Sequence, residues 1–224
     1  MPTIPYRNED GEKLSGVTTI IGGNLGWNKQ ALMWWANQQG LEGKSHRDKT
    51  AAETGTLCHA LIEAEIWARL KQSILKVANE IEGLKKTLTT EQIDMARQGL
   101  ENFKKWADMS RFQPLYTEPH LVSEKYQYGA TPDLIATIGE EVVLFDWKTS
   151  GGTYEDMLVQ LSAYKAIWEE VHPDMPIKGI HLLRIGKADA SFHHHYWQKL
   201  DEEWEVFKCQ LKTHNLHKII KKKL

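Results

Sequence analysis

Residues 131–148 read TPDLIATIGEEVVLFDWK, and this stretch decides the fold. Two runs rich in β-branched and aromatic residues flank Gly139 and Glu140, and such runs separated by two turn residues predict a β-hairpin. A glycine in the first loop position favours a type II′ turn, which fixes the pairing register of the two strands. In that register Asp133 lies directly opposite Asp146.

The two facing carboxylates predict a binding site for a divalent cation. Opposing side chains of an antiparallel pair share one face of the sheet, with Cβ atoms about 4.5–5.5 Å apart, so two carboxylates there repel each other. A cation that takes oxygen ligands removes this repulsion. Strand alternation places Lys148 on the same face as Asp146 and places Trp147 on the opposite face.

Two acids and a lysine on one face suit the hydrolysis of a phosphodiester bond. Mg²⁺ or Mn²⁺ polarises a phosphoryl oxygen and lowers the pKa of bound water, and a lysine stabilises the negative charge that develops. A solvated ladder of ion pairs on an exposed sheet face fits the same spacing. From spacing alone, the catalytic and the structural interpretations are equally favoured.

The remaining sequence predicts a mixed α/β order of elements. Helical periodicity or capping signals mark residues 28–39, a helix from Thr56 that continues patchily to about 88, a helix capped by Thr89 and Gln92, residues 155–171, and a last helix with Asp201 as its N-cap. Period-two alternation marks strands at 119–126, 131–138, 141–148, 177–185 and 191–197, the last of them an edge strand. Residues 40–55 are expected to form a loop.

We expect a single domain over residues 1–224, with a helical part at about 28–110, a sheet core at about 117–197 and a C-terminal helix at about 200–220. A hydrophobic content of 41% over 224 residues is enough for one full core. The start of the sequence is polar and resembles no secretory signal, and no apolar run is long enough to cross a bilayer. The expected location is intracellular, in the cytoplasm, or in the host cytoplasm if a phage encodes the protein.

Charge and cysteine usage narrow the kinds of site to expect. The formal net charge of −2 gives no global attraction to nucleic acid, so any binding must come from local basic patches. If the chain binds DNA, the basic residues of the predicted loop, Lys44, Arg47 and Lys49, are the expected contacts, and otherwise they are solvated surface residues. Cys58 and Cys209 have no neighbouring cysteine at metal-ligand spacing, so we expect no iron–sulfur cluster and no zinc knuckle.

Pro132-Asp133, followed at a strand's distance by Asp146-Trp147-Lys148, resembles the motif that names the PD-(D/E)XK nuclease superfamily. The resemblance implies a restriction-endonuclease-like α/β core, in which helices flank a mixed central sheet and an N-terminal helical wall or arch stands beside the site. It favours the catalytic interpretation of the three charged residues over the structural one.

Three further patterns resemble one branch of this superfamily. Gln160 and Tyr164 match the Q-x-x-x-Y motif of RecB-like nucleases, and residues 55–59 match their upstream G-T-x-x-H helix. The V-T-T-I segment at 17–20 is similar to the N-terminal segment of single-strand exonucleases related to the mitochondrial genome maintenance exonuclease. Relatives often carry a glycine three residues before the first aspartate, where this chain has Ala130 next to a glycine.

The resemblance also implies a role for each matching residue. The implied ligands of a Mg²⁺ or Mn²⁺ ion are Asp133, Asp146, His59 and the backbone carbonyl of Trp147. The other residues with implied roles are Lys148 as the catalytic lysine, Gln160 and Tyr164 as residues that orient the site and the DNA backbone, and Glu118 as an additional acid.

The implied activity is that of a metal-dependent deoxyribonuclease, an exonuclease on single-stranded DNA ends in DNA replication, recombination or repair. The alternatives are an endonuclease of restriction or repair type on the same core, and a DNA-binding module without catalysis. The sequence contains no glycine-rich phosphate-binding loop ending in Lys-Ser or Lys-Thr. A helicase or single-strand-binding partner would therefore be a separate chain.

Overall fold

A computed structural model describes residues 4–27, 29–41, 43, 50–186 and 191–223. The predicted DNA contacts Lys44, Arg47 and Lys49 lie outside these described residues. The helices are α1 (Val17–Asn24), α2 (Lys29–Leu41), α3 (Thr50–Arg69), α4 (Leu75–Lys85), α5 (Thr90–Ser110), α6 (Glu155–Val171) and α7 (Asp201–Lys221). The strands are β1 (Gln113–Thr117), β2 (Leu121–Ser123), β3 (Tyr128–Ala130), β4 (Leu134–Ile138), β5 (Glu141–Thr149), β6 (Gly179–Ile185) and β7 (Phe192–Trp197).

The central hairpin, β4 and β5, forms with the predicted register. The two strands are antiparallel, with Leu134 opposite Phe145. Gly139 has a φ of 61°, and φ is not positive at the next residue, which is the pattern of a type II′ turn. The predicted register is confirmed, and Asp133 directly precedes β4 at the position that faces Asp146.

A five-stranded sheet with the order β1-β4-β5-β6-β7 forms the centre of the described structure. β5 and β6 run parallel and are joined by α6, while the other neighbouring pairs are antiparallel. β2 and β3 form a separate two-stranded sheet. This arrangement confirms the predicted mixed α/β class, and β7 lies at an edge of the sheet as expected.

Helices cover both faces of the sheet because β5 presents apolar side chains to both sides. Leu144 points into one core, which includes Trp168 of α6 and Phe207 of α7. Phe145 and Trp147 point into a second core, built with α3, α4 and α5. Burying a side chain of this size stabilises the fold by about 1.5–3 kcal/mol, so the two cores hold β5 firmly between two layers.

The sequence pattern misses β1 and misplaces β2 and β3. β1 contains Pro114, which is tolerated because β1 lies at a sheet edge. It lacks a period-two burial pattern because its register shifts at an irregularity. The strand predicted at 119–126 is instead the short β2, followed by a turn with Gln127 at φ 59°, from which β3 returns. The strands therefore begin at residue 113 rather than about 117.

The helix predicted from Thr56 begins earlier, at Thr50, so the end of the expected loop is helical. Gly55 is a packing residue and not a loop residue, because a Cβ atom there would lie 2.3 Å from Thr149 Oγ1. A glycine at this point lets α3 approach β5 closely. The patchy continuation is in fact two helices, since the chain leaves α3 through Lys71 at φ 55° before α4 begins.

The local helix signals are confirmed in two cases and wrong in a third. The capping box of Thr89 and Gln92 is present at the start of α5, and α6 covers the predicted residues 155–171. At α7 the N-cap is Leu200 rather than Asp201, whose carboxylate instead joins an acidic first turn at the positive end of the helix dipole. None of these signals predicts α1.

None of the described helices is long and apolar enough to cross a membrane.

His181 and His194 form a contacting pair between β6 and β7. His181 is 6% exposed, its Nδ1 lies 2.8 Å from His194 Nε2, and its ring contacts Phe145 and Tyr196. Burial, with a smaller contribution from His194, lowers the pKa of His181 to about 4, and burial also lowers the pKa of His194. Both imidazoles are therefore neutral in the folded protein at neutral pH.

We predict that acidification destabilises the fold through this pair. An unfolded histidine titrates near 6.5, so between about pH 6.5 and about pH 4 the folded chain binds fewer protons than the unfolded chain. The free energy of unfolding therefore falls as the pH is lowered through that window. His181→Phe should reduce this fall in the free energy of unfolding by about 2 kcal/mol. The measurement is urea denaturation at about pH 6.5 and at about pH 4. His193→Phe, at an exposed position, is the control, and an unchanged pH dependence in His181→Phe would contradict the prediction.

Candidate active site at the end of the central hairpin

Asp133, Asp146 and Lys148 come together where the central hairpin ends. Asp133 Oδ2 accepts a hydrogen bond of 2.9 Å from the backbone N–H of Trp147. Asp146 is 1% exposed, and its Oδ2 forms an ion pair with Lys148 Nζ. The Trp147 side chain points into the opposite core, against Phe103. The structure thus brings together the three charged residues that the sequence pattern places on one face.

The pKa of Asp133 is raised well above its usual range. Burial is the main cause and Asp146 the second, while Lys148 and the Trp147 N–H oppose the shift. Asp146 Oδ2 is buried, and its partner is the ammonium group of Lys148. Two close, buried carboxylates fit a hard divalent cation that takes oxygen ligands.

Lys148 keeps its charge in this site. Burial alone would lower the pKa of Lys148, but Asp146 and Asp133 outweigh it, and the pKa is raised. Asp156, in the first turn of α6, acts in the same direction. The sequence pattern does not single out Asp156, because acidic residues are common at helix N-termini for the sake of the helix dipole alone.

Gln160 and Tyr164 lie one turn apart on α6, which brings them near the acids. Gln160 Nε2 donates a hydrogen bond to Tyr164 Oη. Burial, followed by Asp146 and Asp133, raises the pKa of Tyr164, so its phenol stays protonated. A protonated phenol near two carboxylates is available as a hydrogen-bond donor.

His59, on α3, lies beside Trp147. The two ring centroids are 6.3 Å apart, and burial, followed by the charge of Lys148, lowers the pKa of His59 to about 3. The imidazole is therefore neutral and keeps a nitrogen lone pair that a metal could use. Among the described residues, no group of three His, Cys, Asp or Glu side chains is placed to hold a metal ion. The structure does not assemble His59 with the two aspartates in such a group, and the predicted ligand set stays a prediction.

Backbone contacts place two further predicted groups at the site. Glu118 is exposed, has a φ of 46°, and donates its N–H to the Asp133 carbonyl over 3.1 Å. Its charge adds to the rise in the pKa of Asp133. The Trp147 N–H points to Asp133. In a β-strand, the N–H and the C=O of the same residue point to the same side of the strand. The Trp147 carbonyl therefore faces the Asp133 side as well.

Tyr6 belongs to the site region, although no sequence pattern reveals it. Its ring stacks on His120 at 4.5 Å, and its hydroxyl shares a hydrogen bond of 2.8 Å with Thr131 Oγ1, two residues before Asp133. A Cβ atom on Gly129 would lie 1.9 Å from Tyr6 Cγ, so this contact requires a glycine. The one sequence signal for the contact is that glycine.

Comparisons with known proteins bear on the fold. No protein-family model and no curated protein matches this sequence. The fold is similar to that of a solved structure from Eubacterium rectale named "Putative exonuclease", with a TM-score of 0.52 and 10% identity, over 78% of this chain and 70% of that chain. A second solved structure, SSO0001, has a TM-score of 0.34 and 13% identity, over 69% of this chain and 72% of that chain, which is too low to support a comparison. At 10% identity the first similarity establishes a shared fold alone.

We predict that Gly129→Ala destabilises the protein by about 1–3 kcal/mol, because the added methyl group overlaps the Tyr6 ring. Urea denaturation measures the loss. In Gly129→Ala/Tyr6→Ala the overlap is gone, so the double variant should lose less stability than the two single variants together. Gly22→Ala is the control, since a Cβ atom at Gly22 meets nothing within 4 Å. Strict additivity of the two substitutions would contradict the contact.

Proposed function

We propose that this chain is a metal-dependent deoxyribonuclease of the PD-(D/E)XK superfamily, in its RecB-like branch. The convergence of Asp133, Asp146 and Lys148 at the end of one hairpin is the observation that carries the proposal. Gln160 and Tyr164, at the spacing of the RecB-like motif, support it because α6 brings them to the same site. The fold shared with the structure named as an exonuclease is compatible with it.

The donor set at the site supports binding of Mg²⁺ or Mn²⁺. In the proposal the ligands are Asp133, Asp146, His59 and the Trp147 carbonyl, with Glu118 as an additional acid. The two facing carboxylates and the neutral His59 imidazole both suit a cation. When bound, the ion supplies Lewis-acid polarisation of a phosphoryl oxygen and a lowered pKa for its bound water.

The chain's own residues supply charge and orientation. The Lys148 ammonium, held beside Asp146, stabilises the negative charge that develops on the phosphoryl oxygens. The protonated Tyr164 phenol offers an O–H donor to the DNA backbone, and Gln160 fixes the direction of that hydroxyl. The Trp147 N–H holds the Asp133 carboxylate in place. These positions are set before substrate arrives, which is what electrostatic stabilisation requires.

The proposed substrate is a free single-stranded DNA end, processed in DNA replication, recombination or repair. This part of the proposal rests on the resemblance of residues 17–20 to single-strand exonucleases such as the mitochondrial genome maintenance exonuclease. Lys44, Arg47 and Lys49 are the proposed DNA contacts before the His59 helix. A helicase or single-strand-binding partner would be a separate chain, and the proposed location is intracellular, in the cytoplasm or in the host cytoplasm if a phage encodes the protein.

We predict that the protein degrades end-labelled linear single-stranded DNA with Mg²⁺ or Mn²⁺ and not with EDTA. Lys148→Ala should lower the rate by about 10²-fold or more, because it removes a charge that stabilises the transition state. Lys178→Ala, at an exposed lysine, is the matched control. Cleavage of closed circular DNA would identify an endonuclease instead. DNA binding without cleavage by any metal form would leave the binding module and reject the nuclease.

A second prediction concerns the contact between Gln160 and Tyr164. Tyr164→Phe removes only the hydroxyl and should lower kcat about tenfold or more with KM nearly unchanged, because the donor is used in the transition state. Gln160→Ala should lower kcat by less, since it affects only the direction of that hydroxyl. Tyr196→Phe, at an exposed tyrosine of β7, is the control. Full activity of Tyr164→Phe would show that the phenol is a packing residue.

A further inference from the structure

One face of α7 changes from apolar to cationic along the helix. Phe207 and Leu211 are buried in the core with α1 and α6. Continuing the same helical stripe at spacings of four and three leads to Lys218, Lys221 and Lys222, which are exposed. The side of the helix that faces the protein body at its first half therefore presents ammonium groups at its second half.

This cationic stripe begins beside Ser15, which is hydrogen-bonded to β3, the strand that precedes Asp133. Lys218 Nζ donates a hydrogen bond of 2.9 Å to Ser15 Oγ, and His214 Nε2 lies 2.9 Å from the same oxygen. The Ser15 carbonyl in turn accepts a hydrogen bond of 3.0 Å from the Gly129 N–H. Asp133 lies four positions after Gly129, a span of at most about 14 Å. Lys218 is thus connected to the acids through one side-chain contact and one short stretch of backbone.

The stripe is not compensated by acidic residues of its own segment. Residues 206–223 contain six lysines and no Asp or Glu, in a chain whose formal net charge is −2. Within the described part of the chain, no carboxylate forms an ion pair with Lys218, Lys221 or Lys222. Ammonium groups along one helical stripe complement an anionic polymer with regularly spaced charges, and the sugar-phosphate backbone of DNA is such a polymer.

We propose that Lys218, Lys221 and Lys222 bind phosphates of the DNA strand that leads to or from the active site. The proposal rests on the proposed nuclease function and adds an interaction surface to it. The three lysines contact phosphates and not base edges, so the binding they supply does not depend on sequence. It weakens steeply with salt, because each phosphate contact releases a counterion.

The test is equilibrium binding of labelled single-stranded DNA of about 20 nucleotides, measured by anisotropy in EDTA so that no cleavage occurs. Lys218→Gln/Lys221→Gln/Lys222→Gln is compared with the wild type between about 50 and 200 mM salt. The triple variant should bind roughly tenfold or more weakly at low salt. The slope of log K against log salt should fall by about 2, as expected for three lost phosphate contacts on a single strand.

The same segment offers a matched control. Lys208 and Lys212 of α7, and Lys223 just after its end, are displaced by about 80–140° from Lys218 in a helical projection, and Lys208 is paired with Glu205. Lys208→Gln/Lys212→Gln/Lys223→Gln removes the same charge and should change affinity by no more than about twofold, since distant charges are screened. Equal far-UV circular dichroism and equal urea midpoints verify that both triple variants fold.

Each outcome decides the proposal. An unchanged affinity in the first triple variant, or an equal loss in both variants, overturns it. Tighter binding of polyglutamate than of the DNA at equal charge concentration also overturns it, in favour of an acidic protein partner. A wild type that cleaves DNA without dependence on the stripe rejects this proposal alone. If the wild type binds DNA through the stripe but does not cleave it with either Mg²⁺ or Mn²⁺, the proposed nuclease function alone is rejected.

Discussion

The arrangement of the candidate site depends on two carboxylates held opposite each other at the end of one β-hairpin. Asp133 and Asp146 repel each other, and the register of the hairpin holds them in facing positions. The register is set at the far end, by a turn with Gly139 at positive φ. A slip of one residue would turn Asp146 and Lys148 to the opposite face and separate the charges from α6. A turn far from the site therefore determines its chemistry.

The two apolar cores keep water away from Asp133 and Asp146, and this strengthens the repulsion between their carboxylates. β5 carries Phe145 and Trp147 into the core with α3 to α5, while Asp146 lies on the side of α6, almost without solvent. Water cannot screen the charges there, so the pKa of Asp133 rises and Lys148 stays protonated. The parallel pairing of β5 and β6 requires a crossover, and that crossover is α6, which returns across the same face. The fold thus brings the residues of α6 to the acids.

Features that depend on neighbouring residues were predictable, and features that depend on distant contacts were not. The hairpin, the 155–171 helix and the opposite orientation of Trp147 follow from turn chemistry and periodicity. The early start of α3 does not, because Gly55 reads as a loop residue unless its contact with Thr149 is known. Tyr6 meets Thr131 across 125 positions, and no local pattern encodes that distance. Metal binding and the catalytic roles stay predictions.

The net charge of a chain says little about the field at any one of its surfaces. At about 0.1 M salt, charges act over roughly 10 Å, so a phosphate is influenced by the nearest few side chains and not by the total. α7 separates its charges along its length, with an acidic first turn and lysines toward its end, each favoured by the helix dipole. His214 and Lys218 contact Ser15, and the Ser15 carbonyl is hydrogen-bonded to Gly129 of β3, the strand that precedes Asp133. The cationic half of α7 therefore lies on the side of the molecule where the chain runs toward the acids. A formal charge of −2 is therefore compatible with an anionic polymer as substrate, provided that the polymer crosses this end of the helix.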